Sequence, residues 1–374
     1  MQEREDFLDK LRVAATCAVV LLHTITGVMD ITDMSPFPLE NKVFLAVLDL
    51  ICWCVPVFVV ISGYLFLNPA RKVSMRDMLT KYCRRILLAL FLFGVPYACL
   101  EQIALEHTFK IGMLGKSFLM VLRGESWSHM WYLYLILVLY LITPALKWLL
   151  ERIPDLVVWV LLGELAAVSS ILPCLAGFLG WEYPTALLGQ LVYLFYYMCG
   201  YLFAIRRSTG GGQRRTVRRQ VNFPREKKTA GTWKFRGGLS VRILPGMAAV
   251  IALGAVICRL AGIFTARTTY NAPLAVVLAL LLFSTGLVWS RSAYLGIKNT
   301  GFWKQKPKQV AALTFAVYLV HPVFLNFSYK FLHITPLSFN IWISLPLFFL
   351  GTLFFSTAAA WGLRRIPVLR RYVL

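Results

Sequence analysis

The chain has 374 residues, of which 59% are hydrophobic and 15% are charged. A soluble domain of this length needs more charged surface than that, so the composition excludes an ordinary soluble protein and indicates a membrane protein. The formal net charge is +22. Because the Lys and Arg residues lie between apolar runs, we attribute them to membrane topology and do not expect nucleic-acid binding.

Ten apolar runs are long enough to cross a bilayer as helices, which takes about 20 residues each. We therefore predict an all-α, polytopic membrane bundle of about ten transmembrane helices, forming a single domain over 1–374. The predicted helices occupy 11–29, 42–67, 82–104, 130–150, 155–176, 186–205, 241–264, 271–290, 309–329 and 339–362. Pro56 is expected to kink the second of them.

The positions of the basic residues set the predicted orientation. With the N-terminus in the cytoplasm, 32 of the 39 Lys and Arg residues fall on the cytoplasmic side and seven fall outside. Cytoplasmic loops of membrane proteins are enriched in these residues, so both termini are predicted to be cytoplasmic. The longest polar insert, at about 206–240, is predicted to be a flexible basic cytoplasmic loop that attracts anionic membrane lipids.

Ionisable side chains inside membrane spans are costly, so each of them is a functional candidate. Arg12 and His23 are eleven residues apart, which places them on one face of the first helix at a separation of about 16 Å. Arg12 suits a phosphate or carboxylate arriving from the cytoplasm, and a neutral His23 deeper in the bilayer suits general-base catalysis. The alternative is a topology arginine and a histidine bonded to a neighbouring carbonyl.

Further candidates lie near the ends of later helices. Lys81, Arg84 and Arg85 at the entrance of the third helix suit a polyphosphate group, or serve only as a topology signal. His129 and Trp131 stand at the outer end of the fourth helix. There they either meet an extracytoplasmic acceptor or belong to an interfacial aromatic belt.

The ninth predicted helix carries His321, which is expected at a depth similar to that of His23. Pro322 should free a backbone carbonyl beside it. No Cys/His cluster has the spacing of a zinc site, so no metal is predicted. The sequence also contains neither a Walker A loop nor a G-x-S-x-G elbow, which argues against ATP hydrolysis and lipase chemistry.

Two further features of the spans have alternative interpretations. Ser62 and Gly63, at the inner end of the second helix, are typical of close helix packing, although Ser62 is also a candidate for ligand contact. The carboxylates Asp49 and Glu164 are costly within spans. We expect each of them either to orient a histidine or to pair with an arginine.

Taken in order, these segments resemble the acyltransferase-3 family of integral membrane proteins. Arg12, followed after ten residues by His23, is similar to the family's opening Arg-x10-His motif, and 58–64 resembles its F-F-x-x-S-G-Y element. The segment 81–86 resembles the basic entrance of the family's third helix. The segments 129–133 and 318–322 resemble its H-L-W-F-L and Y-x-x-H-x-P elements.

The resemblance implies transfer of an acyl group, usually acetyl, from cytoplasmic acyl-CoA to a hydroxyl of a cell-surface or lipid-linked glycan. By analogy, His23 is the base or acyl relay, with Arg12 beside it in the catalytic site. The implied contacts to acetyl-CoA are Arg12, Lys81, Arg84, Arg85 and Ser62. The candidates for acceptor contact or for support of His23 are His129, Trp131, His321, Asp49 and Glu164.

The expected location is the cell membrane, in particular the cytoplasmic membrane of a bacterium. Two alternatives remain at this stage. A transporter or flippase of a lipid-linked glycan or small metabolite also uses buried Arg, His and Asp residues along a substrate path. A non-catalytic membrane scaffold is the other, although it would not need His23 and His321 at matching depth.

Overall fold

A computed structural model describes residues 6–209, 237–263, 268–294 and 306–374, and within these ranges the chain forms helices and no β-strand. The helices are α1 (Asp6–Met29), α2 (Pro38–Ile51), α3 (Cys54–Phe66), α4 (Arg84–Glu106), α5 (Gly112–Arg123), α6 (Trp131–Leu150), α7 (Asp155–Ala166), α8 (Leu172–Leu179), α9 (Leu191–Thr209), α10 (Gly237–Leu260), α11 (Pro273–Tyr294), α12 (Lys306–Ala311), α13 (Thr314–Asn326), α14 (Ile341–Leu363) and α15 (Pro367–Tyr372). Most of the loop predicted at about 206–240 lies outside the described residues.

Nine segments of the described chain are long and apolar enough to span a membrane, which confirms the predicted all-α polytopic bundle. They are Asp6–Met29, Pro38–Phe66, Met75–Glu106, Ser128–Leu150, Asp155–Leu179, Thr185–Ile205, Ile243–Leu260, Pro273–Ser290 and Ile341–Leu363. The remaining predicted span, 309–329, is helical but divided into α12, α13 and the π-helical turn Phe327–Phe331. A turn at 312–313 separates the first two of these pieces, so the uninterrupted helix runs only over 314–331 and is not among the nine spanning segments of the described chain.

The second predicted span is interrupted beside Pro56. Helix α2 ends at Ile51 and α3 begins at Cys54. Because Pro56 has no backbone N–H, the carbonyl of Cys52, four residues earlier, cannot receive its usual helical hydrogen bond. The thiol of Cys52 donates to the Asp49 carbonyl at 3.0 Å, which satisfies one backbone oxygen near the break.

Helices α3 and α9 approach each other closely where two glycines meet. A Cβ atom on Gly63 would lie 1.9 Å from the carbonyl oxygen of Tyr197, and one on Gly200 would lie 2.3 Å from the backbone nitrogen of Tyr64. Only hydrogen fits at these separations, so both positions require glycine. This contact is the close helix packing expected beside Ser62, and it fixes α3 against the centre of the bundle.

A buried ion pair joins α2 to the end of α10. Arg259 Nε and Nη2 each lie 2.9 Å from a carboxylate oxygen of Asp49, and the two side chains are only 3% and 2% exposed. The hydroxyl of Thr268 donates to the same carboxylate. Asp49 therefore pairs with an arginine, which is one of the two arrangements that its position in a span predicts.

Candidate active site

Three histidines from separate parts of the chain lie side by side, and we call them the histidine cluster. His23 belongs to α1, His129 to the turn before α6 and His321 to α13. The ring centres of His23 and His321 are 5.1 Å apart, and that of His129 lies 5.8 Å from His321 and 6.4 Å from His23. Within the described ranges, no group of three or more His, Cys, Asp or Glu side chains is arranged to hold a metal ion.

Pro322 determines how the ring of His321 is oriented. Because Pro322 has no N–H, the carbonyl of Tyr318 lacks its usual helical donor. His321 Nδ1 lies 2.8 Å from that carbonyl oxygen and 3.2 Å from the oxygen of Val317. Nδ1–H therefore donates to the backbone, and Nε2 carries the lone pair. Among the described residues, this buried Nε2 has no hydrogen-bond partner.

His129 packs against the backbone of α13. The carbonyl of Leu319 lies near the His129 ring and accepts a hydrogen bond from the hydroxyl of Tyr97 at 2.7 Å. The hydroxyl of Tyr318 donates in turn to the His129 carbonyl. Nε2 of His129 is buried and is likewise without a partner in the part of the chain that is described. Two imidazoles thus bring buried Nε2 atoms that have no partner among the described residues to one cluster.

A cavity of about 350 Å³ opens beside the histidine cluster. Its polar wall includes His23, His129, Asp30, Glu101, Glu125 and Lys330. Trp127 stiffens the wall, because its ring stacks on Tyr97 at 4.3 Å with an angle of 6° and its Nε1–H donates to Glu101 at 3.1 Å. Lys330 Nζ completes this group, at 2.6 and 2.8 Å from the two carboxylate oxygens of Glu101.

The wall around Trp127 was not predicted from the sequence. Tyr97 and Glu101 are four residues apart and therefore share one helix face, and Trp127 precedes His129 by two residues. These spacings were the available signal. Only the folded chain shows that three elements meet here, namely α4, the loop before α6 and the turn that carries Lys330.

Arg12 lies three helical turns before His23 on α1, on the side away from the cavity. Ser62, on α3, donates to the Phe58 carbonyl at 3.0 Å and lies near the phenols of Tyr132 and Tyr140, as does Arg12. The structure therefore places Arg12 and Ser62 in one polar region beside these two phenols, and we call that region the arginine crevice.

A chain of aromatic rings connects the arginine crevice to the histidine cluster. The ring centres of Tyr132 and Tyr318 are 5.8 Å apart, and Tyr318 lies 5.7 Å from His129 and 6.2 Å from His321. Phe315 stacks on Tyr318 at 6.3 Å. These contacts form a continuous wall between the guanidinium groups and the imidazoles.

The three basic residues at the entrance of α4 do not act as a group. Lys81 pairs with Asp77 at 2.6 Å and is 67% exposed. The guanidinium of Arg84 lies over the ring of Tyr372 at 5.6 Å. A π-helical turn at Met78–Cys83 changes the helical register between Lys81 and the residues that follow, so uniform α-helical spacing does not describe this entrance.

Arg85 is the member of this set that reaches the arginine crevice. Its guanidinium lies 5.4 Å from the ring centre of Phe315, and its charge acts on Tyr140. Arg85 Nε donates to the carbonyl of Val373 at 2.8 Å, and a second nitrogen donates to the carbonyl of Leu374. The segment after α15 therefore contacts the guanidinium of Arg85.

Arg71 is a further cation of the arginine crevice, although its place in the sequence indicates only a topology signal. Its guanidinium lies over the ring of Phe66 at 4.6 Å and donates to the Leu65 carbonyl at 3.2 Å and to the hydroxyl of Tyr82. The rings of Tyr82 and Tyr140 are 6.1 Å apart. The local signal was weak, because Arg71 follows an Asn-Pro turn between two spans.

A family model described as an acyltransferase domain, that of acyltransferase-3, matches residues 5–365. The chain belongs to the acyltransferase-3 family. No curated protein and no solved structure matches it. With nine candidate spans among its described residues, this acyltransferase-3 protein is a multi-pass membrane acyltransferase. Family membership disfavours the transporter and scaffold alternatives that the sequence left open.

The family resemblance implied several candidate residues, and three of them lie away from the histidine cluster of this acyltransferase. Trp131 packs its ring against Tyr193 and Tyr270, at 5.4 and 5.8 Å. Asp49 belongs to the ion pair between α2 and α10. Glu164 is exposed at the edge of a separate, largely apolar crevice between α6, α7 and α9.

Proposed function

We propose that this membrane acyltransferase moves an acetyl group from acetyl-CoA to a hydroxyl of a cell-surface or lipid-linked glycan, at a bacterial cytoplasmic membrane. The observation that carries the proposal is the position of His23, which lines the cavity and contacts the ring of His321. A histidine in that position can take a proton from a hydroxyl entering through the cavity. The acyl donor would approach from the arginine crevice.

The crevice suits the anionic end of CoA. Arg12, Arg71 and Arg85 approach the neighbouring rings of Tyr82 and Tyr140. A guanidinium is weakly hydrated and presents several donors in a plane, which makes it the preferred side chain for phosphate. Arg12 stands about 16 Å from His23 along α1. The pantetheine arm of CoA would cross that separation beside the aromatic rings.

The proposed reaction begins with the acceptor hydroxyl, which loses its proton to His23 as its oxygen attacks the thioester carbonyl carbon. The C–S bond then breaks, and the sulfur of CoA receives the proton from the His23 imidazolium. The products are an ester on the acceptor and CoA as a free thiol. The lone-pair nitrogen of His321 and the ring of His129 provide neighbours for His23 while it holds the proton.

The test follows CoA release from acetyl-CoA by the purified protein in lipid nanodiscs, with methyl β-glucoside supplied as the acceptor hydroxyl and with quantification by chromatography. His23→Asn should lower turnover by about 10²- to 10⁴-fold, the usual contribution of a general base. The matched control is His333→Asn. His333 is exposed at a left-handed position with φ 54°, which Asn tolerates, so this variant should keep wild-type turnover.

Two results would contradict the proposal in different ways. Wild-type turnover in a folded His23→Asn protein would remove His23 from the role of base. Failure of the folded wild-type protein to release CoA from acetyl, propionyl, succinyl and longer acyl thioesters would remove acyl-CoA as the donor.

A further inference from the structure

The cavity beside the histidine cluster has a charge pattern opposite to that of the arginine crevice. Its described wall contains three carboxylates, on Asp30, Glu101 and Glu125, and one ammonium, on Lys330. The formal charge of this wall is therefore −2 when the histidines are neutral. The two regions on either side of the cluster thus differ in the charge of their side chains.

The lysine in the cavity wall is already engaged. Lys330 Nζ lies 2.6 and 2.8 Å from both oxygens of Glu101, and the same carboxylate also accepts the Trp127 Nε1–H. An anionic ligand would have to break this pair to use the ammonium. The wall therefore offers little compensation for a second negative charge.

A buried nitrogen gives a second and independent indication of the ligand. His129 is 2% exposed and lines the cavity, and its Nε2 has no hydrogen-bond partner among the described residues. A ligand hydroxyl both donates and accepts, so it can bond to this nitrogen in either tautomer of the neutral ring, whereas a carboxylate or phosphate oxygen can bond to it only when the nitrogen carries a proton.

We propose that the acceptor is a neutral or amine-bearing sugar, and that the cavity selects against sugars that carry a carboxylate or phosphate near the reacting hydroxyl. This inference rests on the proposed function, because it takes the cavity as the acceptor site. The expected order of apparent affinity is amino sugar first, then neutral sugar, then acidic sugar.

The test uses three glycosides that share one ring and differ in charge: methyl β-glucosaminide, methyl β-glucoside and methyl β-glucuronide. Each is titrated against CoA release from acetyl-CoA, where an acceptor accelerates release and an unproductive occupant inhibits it. Thermal stabilisation by each glycoside without donor is measured in parallel, because it reports binding without chemistry. The half-maximal concentration of the glucuronide should exceed that of the glucoside by about threefold to tenfold. We call the ratio of these two concentrations the gap between glucuronide and glucoside, and it should shrink in 1 M salt.

Glu125→Gln removes a carboxylate that is exposed at the cavity and should narrow the gap between glucuronide and glucoside about twofold or more. The matched control, Glu182→Gln, changes an exposed carboxylate that does not belong to the cavity wall and should leave the gap unchanged.

Equal responses to all three sugars, a preference for the glucuronide, or no response in either measurement would overturn the inference. Absence of CoA release together with the expected order of thermal stabilisation would instead leave the cavity assignment standing. In that case the proposed donor chemistry would have failed.

Discussion

Replacing Arg259 by Leu removes one partner of the buried ion pair and leaves the Asp49 carboxylate, 2% exposed, beside an apolar side chain. Both N···O contacts of the pair are 2.9 Å long. Removing one member of such a pair typically costs about 3–5 kcal/mol, because the other charge stays buried without compensation. That cost corresponds to roughly a 10²- to 10⁴-fold shift of the equilibrium towards the unfolded state.

The double variant Asp49→Leu/Arg259→Leu should be much less destabilised than the sum of the two single variants, because it leaves no uncompensated charge. The free energy of unfolding is measured in mixed micelles for the wild type, both single variants and the double variant. We expect a coupling of at least about 2 kcal/mol. CoA release per folded molecule should stay within about twofold of wild type in the double variant, because this pair lies away from the histidine cluster.

Either of two outcomes would refute this reasoning. Additive destabilisation in the double variant would show that the 2.9 Å contacts contribute no net coupling. A large loss of CoA release in folded Asp49→Leu would show that the carboxylate supports the chemistry directly.

Gly63→Ala should prevent accumulation of folded protein or destabilise it by about 3 kcal/mol, since its Cβ would meet a carbonyl at 1.9 Å. Gly163→Ala is the control, and it should leave stability unchanged because a Cβ there meets nothing within 4 Å. Arg85→Gln should raise the KM for acetyl-CoA by about tenfold or more, and Lys81→Gln by less than about twofold, because the Lys81 ion pair is exposed. Pro322→Ala restores an N–H that competes for the carbonyl orienting the neighbouring histidine, so it should lower kcat about threefold or more with an unchanged donor KM. Equal KM values in the Arg85 and Lys81 variants, or an unchanged kcat in the proline variant, would contradict these assignments.

Hydropathy alone predicted most of the fold, because a spanning helix must be apolar along its whole length and this requirement is visible in a window of sequence. The segment 309–329 is the exception. It is as apolar as the other runs, but its helix is divided at 312–313 and ends in a π-helical turn. Such interruptions depend on packing against neighbouring helices, which average hydropathy does not report.

The candidate site was predictable only in part. Helical periodicity placed Arg12 and His23 on one face of α1, and Pro322 gave a physical reason for a free carbonyl beside His321. The approach of His129 to both histidines joins three distant segments and has no local signal. The different directions of Lys81, Arg84 and Arg85 follow from a π-helical turn, whose extra residue cannot be read from spacing.

The backbone oxygens of Val373 and Leu374 accept hydrogen bonds from Arg85. Both residues lie beyond residue 365, the last one that the family model matches. This has a practical consequence for expression and purification. An affinity tag or fluorescent fusion placed beside residues 373–374 would disturb the segment that contacts Arg85, and we expect it to change the apparent affinity for the donor. Kinetic constants for this protein should therefore be measured after such a tag has been cleaved, or with the tag placed elsewhere in the chain.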